Sequence, residues 1–254
     1  MELTQSVVLA LVQGLTEFLP VSSSAHLILV PFFAHWPDQG LVFDILLHLG
    51  TLLAVILYFR RDILQMISQK TPLLWQLMVA TIPICVVGFF LPGAIAQHLR
   101  SPWIIAIASI FFGLLLWRGD KSWHNRHTLT HITYKQAWMI GIWQALAIIP
   151  GTSRSGITMT GARWLGFDRV SATRFSFLLS IPTISLAVLS TFKDGFPKQE
   201  GLDWPIMGVG LLVSFTTAYA CIHIFMQWVN RIGFLPFMIY RVLLGMAILC
   251  LMVY

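Results

Sequence analysis

The chain has 254 residues, of which 57% are hydrophobic and only 10% charged, and its mean hydropathy is +0.79. A water-soluble domain carries roughly 25% charged residues because its outside must face water, so this composition excludes one and makes lipid the expected solvent. The formal charge of +6 does not point to nucleic acid, because the basic residues fall in short connections between apolar runs, where they act as topology signals.

The length suits six to eight spans of roughly 20 residues each and leaves no room for a separate soluble domain. Glu2 precedes the first apolar run without the basic start or small-residue cleavage site of a signal peptide, so the chain is expected to begin directly in the membrane. Leu3–Leu19 is apolar but stops at Pro20, followed by Val21-Ser22-Ser23-Ser24 and a second short apolar stretch, Ala25–Trp36. Three full spans follow, at about Leu41–Phe59, Leu73–Leu91 and Trp103–Trp117. Ala137–Ile149 then stops at Pro150, followed by Gly151-Thr152-Ser153-Arg154-Ser155-Gly156 and the short stretch Ile157–Gly166. Spans at about Arg174–Phe192, Pro205–Val229 and Leu235–Tyr254 complete the chain. Trp103, Trp117, Trp204 and Trp228 sit at span ends, where amphipathic rings prefer the interface. Cys85, Cys221 and Cys250 each lie alone in apolar sequence without metal-ligand spacing and are expected to be buried packing residues.

The two interrupted segments read as re-entrant helical hairpins, in which short helices meet at a polar tip inside the membrane. Broken helices are tolerated there only where protein or a water-filled cavity satisfies the freed backbone groups. An ordinary span kinked at proline is the alternative, but runs of serine and glycine exceed what a kink needs.

Charge tests the layout. With the N-terminus outside, the inside connections hold Arg60, Arg61, Lys70, Arg118, Lys121, Arg126, Lys135, Arg163, Arg169, Arg174, Arg231 and Arg241, and the outside ones only Arg100, Lys193 and Lys198. Twelve against three is a strong positive-inside bias and favours both termini outside. Each half, roughly 1–117 and 136–254, is a hairpin followed by three spans. An odd number of spans makes the second half enter from the opposite face, an inverted-topology repeat whose tips meet near the midplane. Gln13, Pro20 and Ser22-Ser23-Ser24 echo Gln144, Pro150 and Ser153-Arg154-Ser155. The fold class is therefore an all-α membrane domain of about six transmembrane helices plus two re-entrant hairpins.

Glu17 is the most informative residue, since an intramembrane carboxylate costs several kcal/mol unless paired or hydrated. Gln13 lies one turn earlier on the same face, so the two offer oxygen ligands to a hard divalent cation or form one hydrogen-bonded pair. A helix starting near Ser22 presents free N–H groups and its dipole to an anion, with Ser22 and Ser24 alongside. Ser23 and His26, three apart, pair a hydroxyl with an imidazole, the minimum for nucleophilic catalysis, although a cap and a carbonyl-bonded histidine would leave the same pattern. Arg154 sits in a turn built of Gly151, Thr152, Ser153, Ser155 and Gly156, whose N–H groups can form an anion nest. Its planar fork suits phosphate, and a salt bridge to Glu17 is the structural alternative. Asp44 and His48 read either as outer support for this site or as an interfacial pair. The histidines between Trp123 and His131 read as solvated.

At this level the run from Gln13-Gly14-Leu15-Thr16-Glu17-Phe18-Leu19-Pro20 through Val21-Ser22-Ser23-Ser24-Ala25-His26 resembles the first signature of the undecaprenyl-diphosphate phosphatase family, the bacitracin-resistance proteins. Pro150-Gly151-Thr152-Ser153-Arg154-Ser155-Gly156 resembles the second, and Arg231-Ile232-Gly233-Phe234-Leu235-Pro236-Phe237 with Tyr240-Arg241 also fits. Gln13 stands where many members have Glu, Ser24-Ala25 replaces the common Thr-Gly, and the connection between Trp117 and Tyr134 is shorter than in some members. The resemblance implies hydrolysis of undecaprenyl diphosphate to the monophosphate and inorganic phosphate, dependence on Mg²⁺ or Ca²⁺, and a link between overexpression and bacitracin resistance. It also implies the bacterial cytoplasmic (inner) membrane, with the site opening to the outer face, and leaves a homodimer open. The expected roles are Ser23 as nucleophile, His26 or Glu17 as base, Arg154 and the tip groups as phosphate ligands, and Glu17 with Gln13 at the metal. A route with His26 as nucleophile, or as base for water, stays open. A lipid-phosphate transporter of the same architecture is the alternative function.

Overall fold

The computed structural model describes residues 2–90, 101–122, 127–192 and 203–253. Arg100, Arg126, Lys193 and Lys198 from the charge count, and His124 from the histidine-rich connection, lie outside the described residues. Among those described the chain is helical without strands; a single isolated parallel bridge joins His127 to Phe167.

Six helices are long and apolar enough to cross a membrane: α3 (Leu41–Tyr58), α5 (Pro72–Phe90), α6 (Pro102–Ser122), α9 (Arg169–Phe192), α10 (Trp204–Ile232) and α11 (Leu235–Val253). Four shorter ones make up the interrupted segments, α1 (Leu3–Thr16) with α2 (Ser23–Ala34) and α7 (Tyr134–Ala145) with α8 (Arg154–Trp164). At about 1.5 Å per residue none of the four spans a hydrocarbon layer about 30 Å thick. A last helix, α4 (Arg60–Ser68), was not foreseen; it is short and polar on one side, and Asp62 ties it to Arg174 on α9 at 2.6 Å.

Two spans exceed the apolar runs that mark them by five residues or more. Helix α6 continues past Trp117 because Asp120 is buried beneath two arginines: Arg169 Nε and Nη2 each reach its carboxylate at 2.8 Å, and Arg163 Nε lies 3.2 Å away. Helix α9 starts five residues before the expected Arg174, since Asp168 accepts from the backbone N–H of Ser171 at 2.8 Å and caps its first turn. Hydropathy cannot see either end, because one depends on arginines distant in the sequence and the other on a polar cap.

Helix α1 packs on α10, α7 on α5, and α6 on α11. The approach is close: a Cβ on Gly141 of α7 would lie 2.5 Å from the Ala80 carbonyl of α5, so only glycine fits. Large apolar side chains such as Leu212, Leu243 and Leu251 point outward, as lipid contact requires. Of the three cysteines only Cys221 is buried. Cys85 and Cys250 are exposed, because on a lipid-facing helix apolar neighbours do not imply burial.

Candidate active site

The ends of the two short pairs meet in the middle of the molecule, and both tips are built alike. Each second helix begins after a serine held at positive φ, Ser22 at 75° and Ser153 at 70°. Each of these hydroxyls lies close to the hydroxyl two residues on, Ser22 to Ser24 at 3.3 Å and Ser153 to Ser155 at 3.2 Å. The tips are joined directly, as Ser155 Oγ donates to the Leu19 carbonyl at 2.9 Å.

Glu17, the C-cap of α1, is the hub. Its Oε1 accepts from Arg154 Nη2 at 2.8 Å; its Oε2 accepts from Ser23 Oγ at 2.7 Å and from Gln13 Nε2 at 3.1 Å. His48 Nε2 lies 3.7 Å from the same Oε2. Arg154 also donates from Nη1 to the Ser176 carbonyl on α9 at 3.2 Å. A carboxylate only 6% exposed is thus held by charge and hydrogen bonds on both oxygens, which offsets its desolvation. The Glu17–Arg154 pair foreseen as the structural alternative is present, and it lies within reach of the serine hydroxyl.

These groups line the floor of a cavity of about 470 Å³, with Ser22, Ser23, Ser24, Ser153 and Arg154 around Glu17. Its walls are largely apolar, from Leu27 and Ile45 on one side to Ile84, Ile184 and Val188 on the other. It extends past Asp44 and His48 to Asp38, Gln39 and Thr191. Asp44 and His48 do not pair through the carboxylate. His48 Nδ1 donates to the Asp44 carbonyl at 2.7 Å, while Asp44 Oδ1 accepts from Gln39 at 2.8 Å.

Other expected site residues are placed differently. Ser23 and His26 are not joined; His26 Nδ1 donates to the Ser22 carbonyl at 2.7 Å and Nε2 meets Tyr240 Oη at 2.5 Å. Gly151, Thr152, Ser155 and Gly156 are buried under the second tip and do not line the cavity. The Gly156 N–H is taken by Ser153 Oγ at 3.1 Å.

The residue missed most plainly is Arg241. Counted with the inside charges, it is in fact fully buried within α11. Nη2 donates to the carbonyls of Gly151 at 2.8 Å and Thr152 at 2.9 Å, Nε to Ser109 at 3.2 Å and Nη1 to Pro20 at 3.4 Å. It therefore fastens both tips to α6 and α11, and no carboxylate pairs with it among the described residues. Its signal was available: an arginine well inside the apolar run from Leu235 is as costly as Glu17 and marks function by the same rule.

The donors around Glu17 suit a hard cation. Among the described residues no three His, Cys, Asp or Glu side chains form a ready cage. The buried Oε1 of Gln13 has no partner among the described residues, however, and lies on the residue bonded to Glu17. One carboxylate plus a neutral oxygen, completed by water and phosphate oxygens, is the kind of ligand set Mg²⁺ uses.

The family model described as Bacitracin resistance protein BacA matches residues 6–247. A Saccharophagus degradans protein named undecaprenyl-diphosphatase is 48% identical, the alignment covering 99% of this chain and 98% of that one. Stutzerimonas stutzeri undecaprenyl-diphosphatase 2 is 47% identical over 99% and 98% of the two chains. Pseudoalteromonas translucida undecaprenyl-diphosphatase 1 is 44% identical over 98% of each.

Proposed function

The chain belongs to the Bacitracin resistance protein BacA family, and from that premise and the geometry of the two tips we propose that it hydrolyses undecaprenyl diphosphate. The products are undecaprenyl phosphate and inorganic phosphate. One observation carries the reading: a buried carboxylate holds a serine hydroxyl at 2.7 Å and an arginine at 2.8 Å on the floor of an apolar-walled cavity. Hydrocarbon walls suit a prenyl chain, and a serine, its base and a guanidinium suit a phosphoryl group.

In this mechanism Ser23 Oγ attacks the terminal phosphorus while Glu17 Oε2 takes its proton. The bond from that phosphorus to the bridging oxygen breaks, and the lipid monophosphate leaves with the oxygen. Glu17 passes that proton to the departing monophosphate oxygen. Water then attacks the phosphoserine; Glu17 takes the water proton and hands it to the Ser23 oxygen as the phosphate leaves, so both groups return to their starting states. Arg154 turns from Glu17 to the phosphate and neutralises charge there, which is where most phosphoryl-transfer catalysis comes from. The first-turn N–H groups of α2 point to the same place. A divalent cation, when bound, would be held by Glu17 and Gln13 Oε1 and would supply further neutralisation of phosphate charge. No hydrogen bond in the site favours His26 over Glu17 as the base for Ser23.

We take the two short pairs as re-entrant hairpins and the halves as an inverted repeat, which the matched serine geometry of the tips supports. The cavity would open to the outer face of the inner membrane. Helix α9 is 24 residues long, about 36 Å. Thr191, which lines the cavity, lies at one end of it, and Arg169 lies at the other. A lipid-phosphate transporter would share the arrangement but has no need of a serine on a buried base.

The direct test is phosphate release from a polyprenyl diphosphate by purified protein in detergent, where transport has no meaning. Steady release that falls on chelation and returns with Mg²⁺ or Ca²⁺ is expected; no release with intact binding would turn the reading toward transport. Orientation is checked by single cysteines at Lys198 and Lys121 in a cysteine-free background. An impermeant thiol reagent should reach Lys198→Cys in intact cells and Lys121→Cys only after lysis; labelling of both from one side would overturn the inverted layout.

A further inference from the structure

The two tips share a strained serine but do not secure it the same way. Ser153 closes its own turn, accepting the Gly156 N–H at 3.1 Å. Ser22 makes no such cap; among the described residues its hydroxyl reaches only Ser24. A non-glycine residue at φ 75° persists only where its surroundings over-determine it, and here it precedes the attacking serine directly. What holds it comes from the last helix.

His26 Nδ1 lies 2.7 Å from the Ser22 carbonyl. A carbonyl only accepts, so Nδ1 carries the proton, and in the neutral ring Nε2 is an acceptor. Tyr240 Oη, 2.5 Å away, therefore donates to it, and the two rings stack at 5.7 Å, 11° from parallel. The neighbouring Arg241 holds the Pro20 carbonyl on the other side of the same turn. Ala25 and Leu29 of α2 share one apolar cluster with Ile105 of α6 and Ile248 of α11, which backs the contact. Ser23 is thus aimed at Glu17 by a turn whose carbonyls are gripped from α11, and both imidazole nitrogens are used in gripping it.

We propose that Tyr240 is a positioning residue for Ser23, acting through His26, whose imidazole braces the Ser22 carbonyl and does not receive the serine proton. This rests on the reading of Ser23 as the nucleophile. Tyr240 donates to Nε2, Nε2 fixes the tautomer, and Nδ1–H locks the Ser22 peptide that sets the direction of Ser23 Oγ.

The test uses the length of asparagine, whose Nδ2 stands as many bonds from the backbone as His Nδ1 but cannot take up a proton. His26→Ala should lower single-turnover phosphate release on the order of 10², the effect of a misplaced reacting group. His26→Asn should recover to within about tenfold of wild type. Tyr240→Phe should cost about three- to tenfold in rate, one hydrogen bond's worth, with unchanged affinity for a non-hydrolysable diphosphate analogue. It should have no further effect in the His26→Asn background. The rate of Ser23 labelling by a fluorophosphonate should follow the same order. Because labelling needs no lipid substrate, failure of the substrate reading would show as an inactive wild type whose labelling order is intact. His26→Asn as inactive and as slowly labelled as His26→Ala would overturn the proposal, as would a wild-type rate in Tyr240→Phe.

Discussion

The first tip, Glu17 to His26, and the second, Pro150 to Gly156, have the same backbone plan and opposite characters. The second is closed: Gly151, Thr152, Ser153, Ser155 and Gly156 are all buried, the serine caps its own helix, and the carbonyls go to Arg241. Only Pro150, Ser153 and Arg154 of this tip reach the cavity. The first is open: Ser24 is exposed, Ser23 half-buried, and the turn is held from outside through His26 and Tyr240. A rigid turn that presents one cation suits holding phosphate in ground and transition states alike, whereas a turn that presents a hydroxyl to a base suits a step in which bonds change. One backbone shape can serve both because the residue after the strained serine differs, Ser23 in one tip and Arg154 in the other.

The comparison breaks most completely at Glu17, where the tips join. Glu17→Gln removes the acceptor of the Ser23 proton and the partner of Arg154 together. Phosphate release should fall on the order of 10³ or more, and activation by Mg²⁺ or Ca²⁺ should weaken with it. A variant keeping more than about a tenth of the wild-type rate, a barrier change under about 1.4 kcal/mol, would take Glu17 out of the chemistry.

Separating the tips from each other is the next largest effect. Arg154→Lys keeps the charge that Glu17 requires but loses the two-pronged geometry, so the rate should drop on the order of 10² while folding is retained. Arg154→Ala instead leaves a buried carboxylate unpaired and should destabilise the protein by about 3–5 kcal/mol. Ser23→Ala should be at least as slow as Arg154→Lys yet bind a non-hydrolysable diphosphate analogue nearly normally, since a contact made only in the transition state changes rate without changing affinity. Weak binding in Ser23→Ala with normal binding in Arg154→Lys would reverse the roles assigned to the tips.

Much of this plan is legible in the chain. Six spans stand out by hydropathy, and both tips by proline, serine and glycine breaking an apolar run. Glu17 and Arg154 stand out because an intramembrane charge needs a reason. What stayed hidden depends on partners that no local pattern marks. Arg241 binds backbone carbonyls, which every residue has, so it passed for a topology charge beside Arg231. Asp120 extends α6 only because Arg163 and Arg169 arrive from elsewhere. Ser23 and His26 look like a pair from their spacing, but the turn at Ser22 rotates them to different partners, Glu17 and Tyr240.

The smallest expected effect sharpens the comparison furthest, because it tests the tips' difference without touching the reacting groups. Ser153→Ala deletes the hydroxyl that accepts from the buried Gly156 N–H, so it should cost about 1–2 kcal/mol, the loss of an N-cap with its donor left unsatisfied. Ser22→Ala deletes a hydroxyl that caps nothing, and its stability should stay within about 0.5 kcal/mol of wild type. For a chain of this size the first corresponds to a fall in Tm of several degrees and the second to no more than about two. Thermal unfolding of both variants in one detergent measures the difference, and the shared φ of the two serines makes each the control for the other, since alanine inherits the same backbone strain at both sites. Equal losses would mean that the tips are secured alike and that the external brace on Ser22 is redundant. A larger loss at Ser22 would mean that its hydroxyl, and not the grip on its carbonyl, holds the turn that aims Ser23.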